Sequence, residues 1–371
     1  MQFSDIPGHD ELKETLRASV TRNHMAHAQL FHGNEGGAAL PLARAFASYI
    51  LCENRTETDS CGVCPACVKS GKSIHPDVHY FYPRASVKSD PAKAAAQLKQ
   101  WRIFLADQPY SNLEAWAQMA EMDNKQLQIG KDDSREVIKT VSMKAFEGQF
   151  KIILIWYPEM MNGSAANALL KVLEEPPAKT IYLLVGYAIE QIISTITSRT
   201  QLVKVAPFSD DDMVHHLTQQ GASETEARQA VRVAEGSILK AKKLLDHADE
   251  LEHEEFQQWM RDCLRGDYTS MVKLSEEFSQ VGKSRQQGKM SFWLNLIRES
   301  LLAKSDTMEL TASMGQESEF IKKFSGAVSF ESLEGIYRLI NDEIYHLTRN
   351  ANPRVTHLNL SLQISQLLRK K

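Results

Sequence analysis

The chain has 371 residues, 43% hydrophobic and 24% charged, with a formal net charge of -4. This is the composition of a soluble globular protein with room for two or three domains. It has no run of about 18 apolar residues to span a membrane, no long basic stripe to grip a nucleic-acid backbone unaided and no signal-peptide core near its start, so the expected compartment is the cytoplasm.

In chain order, short apolar runs at 28–31, 78–82, 152–156, 181–185 and 202–205 read as strands. Several are apolar on both faces and alternate with helical patterns, which predicts a parallel α/β sheet over residues 1–206. The first run enters Gly33-Asn34-Glu35-Gly36-Gly37-Ala38-Ala39-Leu40, and a helix-like run over 40–51 leaves it. That is the setting of a phosphate-binding loop, G-x-x-x-x-G-K-[ST]. Ala39 stands where the lysine would reach the β- and γ-phosphates, and Leu40 where a hydroxyl would hold Mg²⁺. Taken alone, Gly33, Gly36 and Gly37 also fit an ordinary Gly-rich turn.

Cys52, Cys61, Cys64 and Cys67 follow, with two C-x-x-C steps sharing Cys64. Four thiolates close a tetrahedral shell around Zn²⁺ and leave no position for water, so a structural zinc is expected rather than a catalytic one. A redox pair or inert thiols are the alternatives. A total of five cysteines, four of them clustered, suits a reducing compartment. His75 and His79 are unnecessary as ligands. Residues 84–128 read as an insertion where a simple crossover would suffice. Its segments 94–105 and 113–122 are helix-like, with Trp101 and Trp116 on apolar faces, and no function follows from them.

After the third strand candidate a P-loop ATPase carries an Asp that holds Mg²⁺ and often a Glu that orients water. Here Trp156 and Tyr157 occupy those positions, and Glu159 comes about one helical turn too late. Both halves of the hydrolytic apparatus are missing together. A helix over 164–175, stopped by Pro176-Pro177, precedes the fourth strand. Thr195-Ile196-Thr197-Ser198-Arg199-Thr200 then places Arg199 between a helix and the last strand. Its planar, permanent charge suits a γ-phosphate; the alternative is a structural pair with a local carboxylate.

Past Pro207 only helices are expected. Ser209 with Asp212 opens one, Ser223 with Glu226 forms a capping box, Glu235-Gly236-Ser237 breaks the run, and 238–245 starts a third. Leu239 stands at a position where an arginine could sense nucleotide, and Lys240 is off by one residue. The rest, 249–371, is helical by periodicity and reads as a separate domain.

Together these stretches resemble the delta-prime family of bacterial DNA polymerase III clamp-loader subunits, of the AAA+ superfamily. The likeness rests on Ile6-Pro7-Gly8-His9, His27 to Phe31, the four cysteines, Phe146-Glu147-Gly148, Asn167 to Pro177, Thr195 to Thr200 and Pro207-Phe208. It is strong over 1–60 and 130–245, weak over the C-terminal region and absent over 84–128. It implies an AAA+ core over 1–206 with the zinc module at about 52–67, a helical lid over 207–248 and a collar-type oligomerisation domain over 249–371. It further implies a non-catalytic stator of a loader that opens a sliding clamp and places it on primer–template DNA. Its partners would be gamma/tau-type ATPase subunits and a delta subunit. Arg199 matches the arginine of the family's Ser-Arg-Cys motif, with Ser198 kept and Thr200 in place of the cysteine, and would reach a neighbour's ATP site. Two other readings remain: a working AAA+ ATPase with an unconventional site, and a zinc-ribbon protein that binds nucleic acid directly, against which the net negative charge counts.

Overall fold

Five apolar segments pair as one parallel sheet in the computed structural model, which describes residues 1–85, 90–122, 125–245, 248–305, 315–349 and 351–369. Its first part runs α1 (Asp10–Thr21), β1 (Ala28–His32), α2 (Ala39–Leu51), α3 (Pro65–Gly71), β2 (Val78–Phe81), α4 (Pro91–Asp107), α5 (Leu113–Met119), α6 (Lys131–Ser142), β3 (Lys151–Trp156), α7 (Gly163–Glu174), β4 (Thr180–Gly186), α8 (Ser194–Thr197) and β5 (Gln201–Lys204). The strand order is β2-β3-β4-β1-β5, so β1 lies between β4 and β5. β3 and β4 are buried along their whole length, as strands covered on both faces must be. On one face, Ile153, Ile155, Tyr182 and Leu184 pack with Ala165, Leu169 and Leu173 of α7. All five expected strands are present.

The two helices expected between β2 and β3 are present with shifted ends. α4 starts earlier because Asp90 caps it, accepting from the backbone N–H of Ala92 and Lys93, with Pro91 in its first turn. α5 stops at Met119, and Glu121 takes a left-handed conformation with φ 54°.

Three helices follow the sheet: α9 (Asp210–Gln219), α10 (Glu224–Ala234) and α11 (Ile238–Leu245). Ser209 accepts from the Asp212 N–H, and Ser223 and Glu226 form the expected capping box. Gly236 breaks the run at φ +73°, where a Cβ would stand 2.3 Å from the Pro207 Cβ, so only glycine fits.

The chain divides into two units, one of residues 1–122 and 126–241, the other of 123–125 and 242–371. The second unit contains α12 (Ala248–Arg265), α13 (Tyr268–Gln280), α14 (Lys283–Lys304), α15 (Gly315–Ala327), α16 (Phe330–Thr348) and α17 (Pro353–Arg369). Phe256, Trp259, Trp293, Ile336, Ile340 and Ile364 fill its core. The Trp259 indole donates to Ser361 Oγ at 2.9 Å, satisfying a buried polar edge. Cys263 lies in that core, and burial pushes its thiol up to about 12. Among the described residues no helix is long and apolar enough to cross a membrane.

Candidate functional site

The carboxyl ends of β1, β3 and β4 present three structural features: the loop between β1 and α2, the turn after β3, and the residues after β4. In open α/β sheets this edge is where ligands bind.

The loop over 33–40 joins β1 to α2 through a glycine in the left-handed region. Gly36 holds φ +72°, and α2 begins at Ala39, directing its first N–H groups toward the loop. Ala38, Ala39 and Leu40 are each only 1% exposed, so these side chains belong to the core. Two of the loop's carbonyls and one of its side-chain amides are bonded by the three-helix segment. Ile238 N–H donates to the Gly36 carbonyl at 3.0 Å, Ser237 Oγ to the Glu35 carbonyl at 2.8 Å, and Asn34 Nδ2 to the Gly236 carbonyl at 3.3 Å. A Cβ on Gly36 would meet Ser237 Oγ at 2.3 Å and Leu239 Cβ at 2.5 Å. Leu239 therefore abuts the loop, while Lys240 pairs with Glu235 at 2.9 Å.

The turn after β3 is equally occupied. Trp156 is fully buried, and its indole donates to the Tyr187 hydroxyl at 2.9 Å. Tyr157 adopts φ 56°, and its hydroxyl donates to Glu35 Oε1 at 2.5 Å. Burial, with the Glu35 carboxylate beside it, pushes the Tyr157 phenol well above its usual range. The Glu159 carboxylate accepts from the N–H groups of Tyr187 at 2.8 Å and Ala188 at 3.1 Å, so it braces the residues after β4. Burial raises its pKa.

Arg199 differs from all of these. It sits in the turn from α8 into β5, with its side chain 37% exposed. Its Nη2 pairs with Glu174 Oε1 at 2.7 Å, and its Nη1 donates to the Thr195 carbonyl at 3.0 Å. The turn itself is tied down, with Ser198 Oγ donating to the Thr195 carbonyl and Thr200 Oγ1 to that of Ile196, each at 3.2 Å. The carboxylate partner comes from the end of α7, a pairing that sequence spacing did not reveal.

The four cysteines do come together. Tetrahedral Zn–S bonds of about 2.3 Å require S···S separations of about 3.8 Å. Sγ of Cys52 lies 4.0 Å from that of Cys64, Cys61 lies 4.0 Å from Cys67, and all four sulfurs fall within 4.8 Å of one another. The four are free thiols. Backbone N–H groups of Cys61, Cys64 and Cys67 donate to Cys52, Cys61 and Cys64 at 3.2, 3.3 and 3.4 Å, which favours thiolate. Such bonds, from the N–H groups of Cys64 and Val63, lower Cys61 to about 6, whereas burial raises Cys52 and Cys67. The donor set fits one Zn²⁺. His75 is engaged elsewhere, its Nδ1 accepting from the Asp77 N–H at 3.1 Å.

Missed in the sequence were Glu35, Tyr110 and Asn112. Asn112 Nδ2 donates to Glu35 Oε2 at 3.3 Å, across 77 positions, a distance no local pattern encodes.

Comparison with known proteins adds a family likeness. A family model described as "DNA polymerase III, delta subunit" matches residues 8–209. A DNA polymerase III subunit delta' from Pseudomonas aeruginosa is 29% identical over 178 residues, 48% of this chain and 42% of that protein. The subunit delta' of Escherichia coli K12 is 26% identical over 225 residues, 60% of this chain and 56% of that one. A subunit tau from Salmonella typhimurium is 26% identical over 252 residues, 66% of this chain and 33% of its own length. The chain thus spans between 33% and 56% of the length of these relatives.

Proposed function

The chain belongs to the DNA polymerase III delta-subunit family, in its delta-prime form, and from that premise we propose that it is a non-catalytic AAA+ subunit of a clamp loader. In this reading it works in the cytoplasm as a stator beside gamma/tau-type ATPase subunits and a delta subunit, and supports loading of the sliding clamp onto primer–template DNA. Residues 33–40 with Trp156 and Tyr157 are a lapsed nucleotide site. Arg199, flanked by Ser198 and Thr200, is the cation this subunit lends to a neighbour's ATP. Helices over 249–371 hold the assembly together, and residues 207–248 form the lid.

One observation carries the reading: the phosphate-lysine position is a buried methyl group at Ala39, while Arg199 remains at the surface. Its pair with Glu174 does not stand in the way. An exposed ion pair contributes about 0–1 kcal/mol, so exchanging Glu174 for a polyphosphate in a neighbour's site costs little. A working ATPase would need a replacement cation at Ala39 and a metal-holding acid near Tyr157; Glu159, the nearest acid along the chain, is engaged by Tyr187 and Ala188, and Glu35 by Tyr157 and Asn112.

Reconstituting the complex with Arg199→Ala tests the role. A trans arginine is worth about three to five decades in phosphoryl transfer. Turnover at the site it serves is expected to fall by that order while assembly is unchanged. Unaltered turnover in a fully assembled complex would rule the role out.

Cys52, Cys61, Cys64 and Cys67 hold one structural Zn²⁺ in this reading, and the metal supplies cross-linking rather than chemistry. Metal analysis should return one zinc per chain, and Cys64→Ser should lose it and melt the segment 52–71. Retention of zinc by that variant would contradict the assignment.

A further inference from the structure

Within the insertion, residues 101–116 touch each part of the lapsed site. Tyr110 is buried, its ring centroid 5.7 Å from Phe208 and 5.4 Å from His216 of α9. Its hydroxyl donates to the Asp5 carbonyl at 3.3 Å. Asn112 Nδ2 donates to Glu35 Oε2 in the loop at 3.3 Å, and the Leu113 N–H to the Tyr157 hydroxyl at 3.1 Å. Behind these contacts, Trp156 packs against Trp101 and Phe104 of α4, with ring centroids 5.0 and 5.8 Å away. Trp101 and Phe104 also surround Trp116 of α5, whose indole donates to the Pro83 carbonyl at 2.8 Å.

A phosphate on the loop would need the N–H groups near Gly36, within about 3 Å. Ser237 and Leu239 crowd Gly36, where a Cβ would stand 2.3 and 2.5 Å from them, and the Asn112–Glu35–Tyr157 chain ties the loop to the insertion and to the end of β3. The residues that replace the metal-holding acids are the ones that seat the insertion. A carboxylate at position 156 would be buried beside Trp101 and Phe104, at a desolvation cost.

We infer that the insertion is a built-in strap, with residues 110–113 standing in for a nucleotide by bridging the loop, the end of β3 and the three-helix segment, and so holding the lapsed site shut. This rests on reading 33–40 as a former nucleotide loop. It goes further in assigning closure to the chain's own segment rather than to the missing lysine alone.

Two measurements on the full chain test it. In the first, Ala39→Lys with Leu40→Thr restores the cradle chemistry, and binding of MgATP is titrated. No saturation at millimolar MgATP is expected until Tyr110→Ala and Asn112→Ala are added, after which affinity should rise at least tenfold. Equal affinity with and without the strap changes, or no gain when they are added, overturns the inference. The second needs no restored site. Tyr157→Phe removes one hydroxyl and little volume, and amide hydrogen exchange should accelerate at least tenfold over 34–37 and 112–114 but not in β3 or β4. Unchanged exchange in the loop overturns the strap. Hydrolysis of ATP by the unaltered chain would instead overturn the proposed function, so the two failures are distinguishable.

Discussion

Two turns at the edges of this sheet have opposite fates. In the loop at 33–40, Ala38, Ala39 and Leu40 are absorbed into the core, while Glu35 stays exposed and is tied to Tyr157 and Asn112. The turn at 198–200 keeps a charged side chain at the surface, held by Glu174, the Thr195 carbonyl and the Ser198 hydroxyl. Under the proposed function, the contrast is between a site that has lost its reaction and a group that still serves one. A buried alanine cannot act on anything, whereas an exposed guanidinium with a weak partner can be taken up by a stronger one.

The sharpest break of this comparison is Arg199→Ala in the assembled complex. A loss of about three decades at one site corresponds to about 4 kcal/mol of transition-state stabilisation. Next in size is Leu40→Ala, which empties a core position and should cost about 2–5 kcal/mol of unfolding free energy without lowering turnover per assembled complex. Denaturant unfolding of the isolated chain reads the first part and an ATPase assay of the purified complex the second. If Leu40→Ala lowered turnover as Arg199→Ala does, the distinction between a sealed and a serving turn would collapse.

Smaller effects sharpen it. Tyr157→Phe deletes a hydroxyl that donates to Glu35 and accepts from Leu113, and should cost about 1–2 kcal/mol in the same unfolding measurement. Glu174→Gln should change stability by less than about 1 kcal/mol, as befits an exposed pair. If Arg199 is shared between Glu174 and a neighbour's phosphate, the same change should leave turnover unaltered or raise it modestly. A drop as deep as that of Arg199→Ala would show instead that Glu174 is needed to position the arginine.

Much of this was legible in the sequence where interactions are local. β3 and β4 show because they are apolar on both faces, and α7 ends where Pro176-Pro177 forbids more helix. Ser209 and Ser223 announce their helices by the acid three residues on. The cysteine spacing led directly to the sulfur cluster. What could not be read was set by distant pairing. Nothing around Asn112 names Glu35, and nothing around Arg199 names Glu174. The insertion looked like a pair of amphipathic helices because its Trp101 and Trp116 obey helical spacing. Its partner, Trp156, looked only like a missing acid. The two observations become one when the rings are seen to pack together.

The most direct test of the account is equilibrium binding of MgATP to the isolated, unaltered chain. The sealed loop predicts no saturable, magnesium-dependent binding up to millimolar nucleotide and no turnover above background. A saturable complex that protects residues 33–40 from hydrogen exchange and hydrolyses its ATP would contradict it.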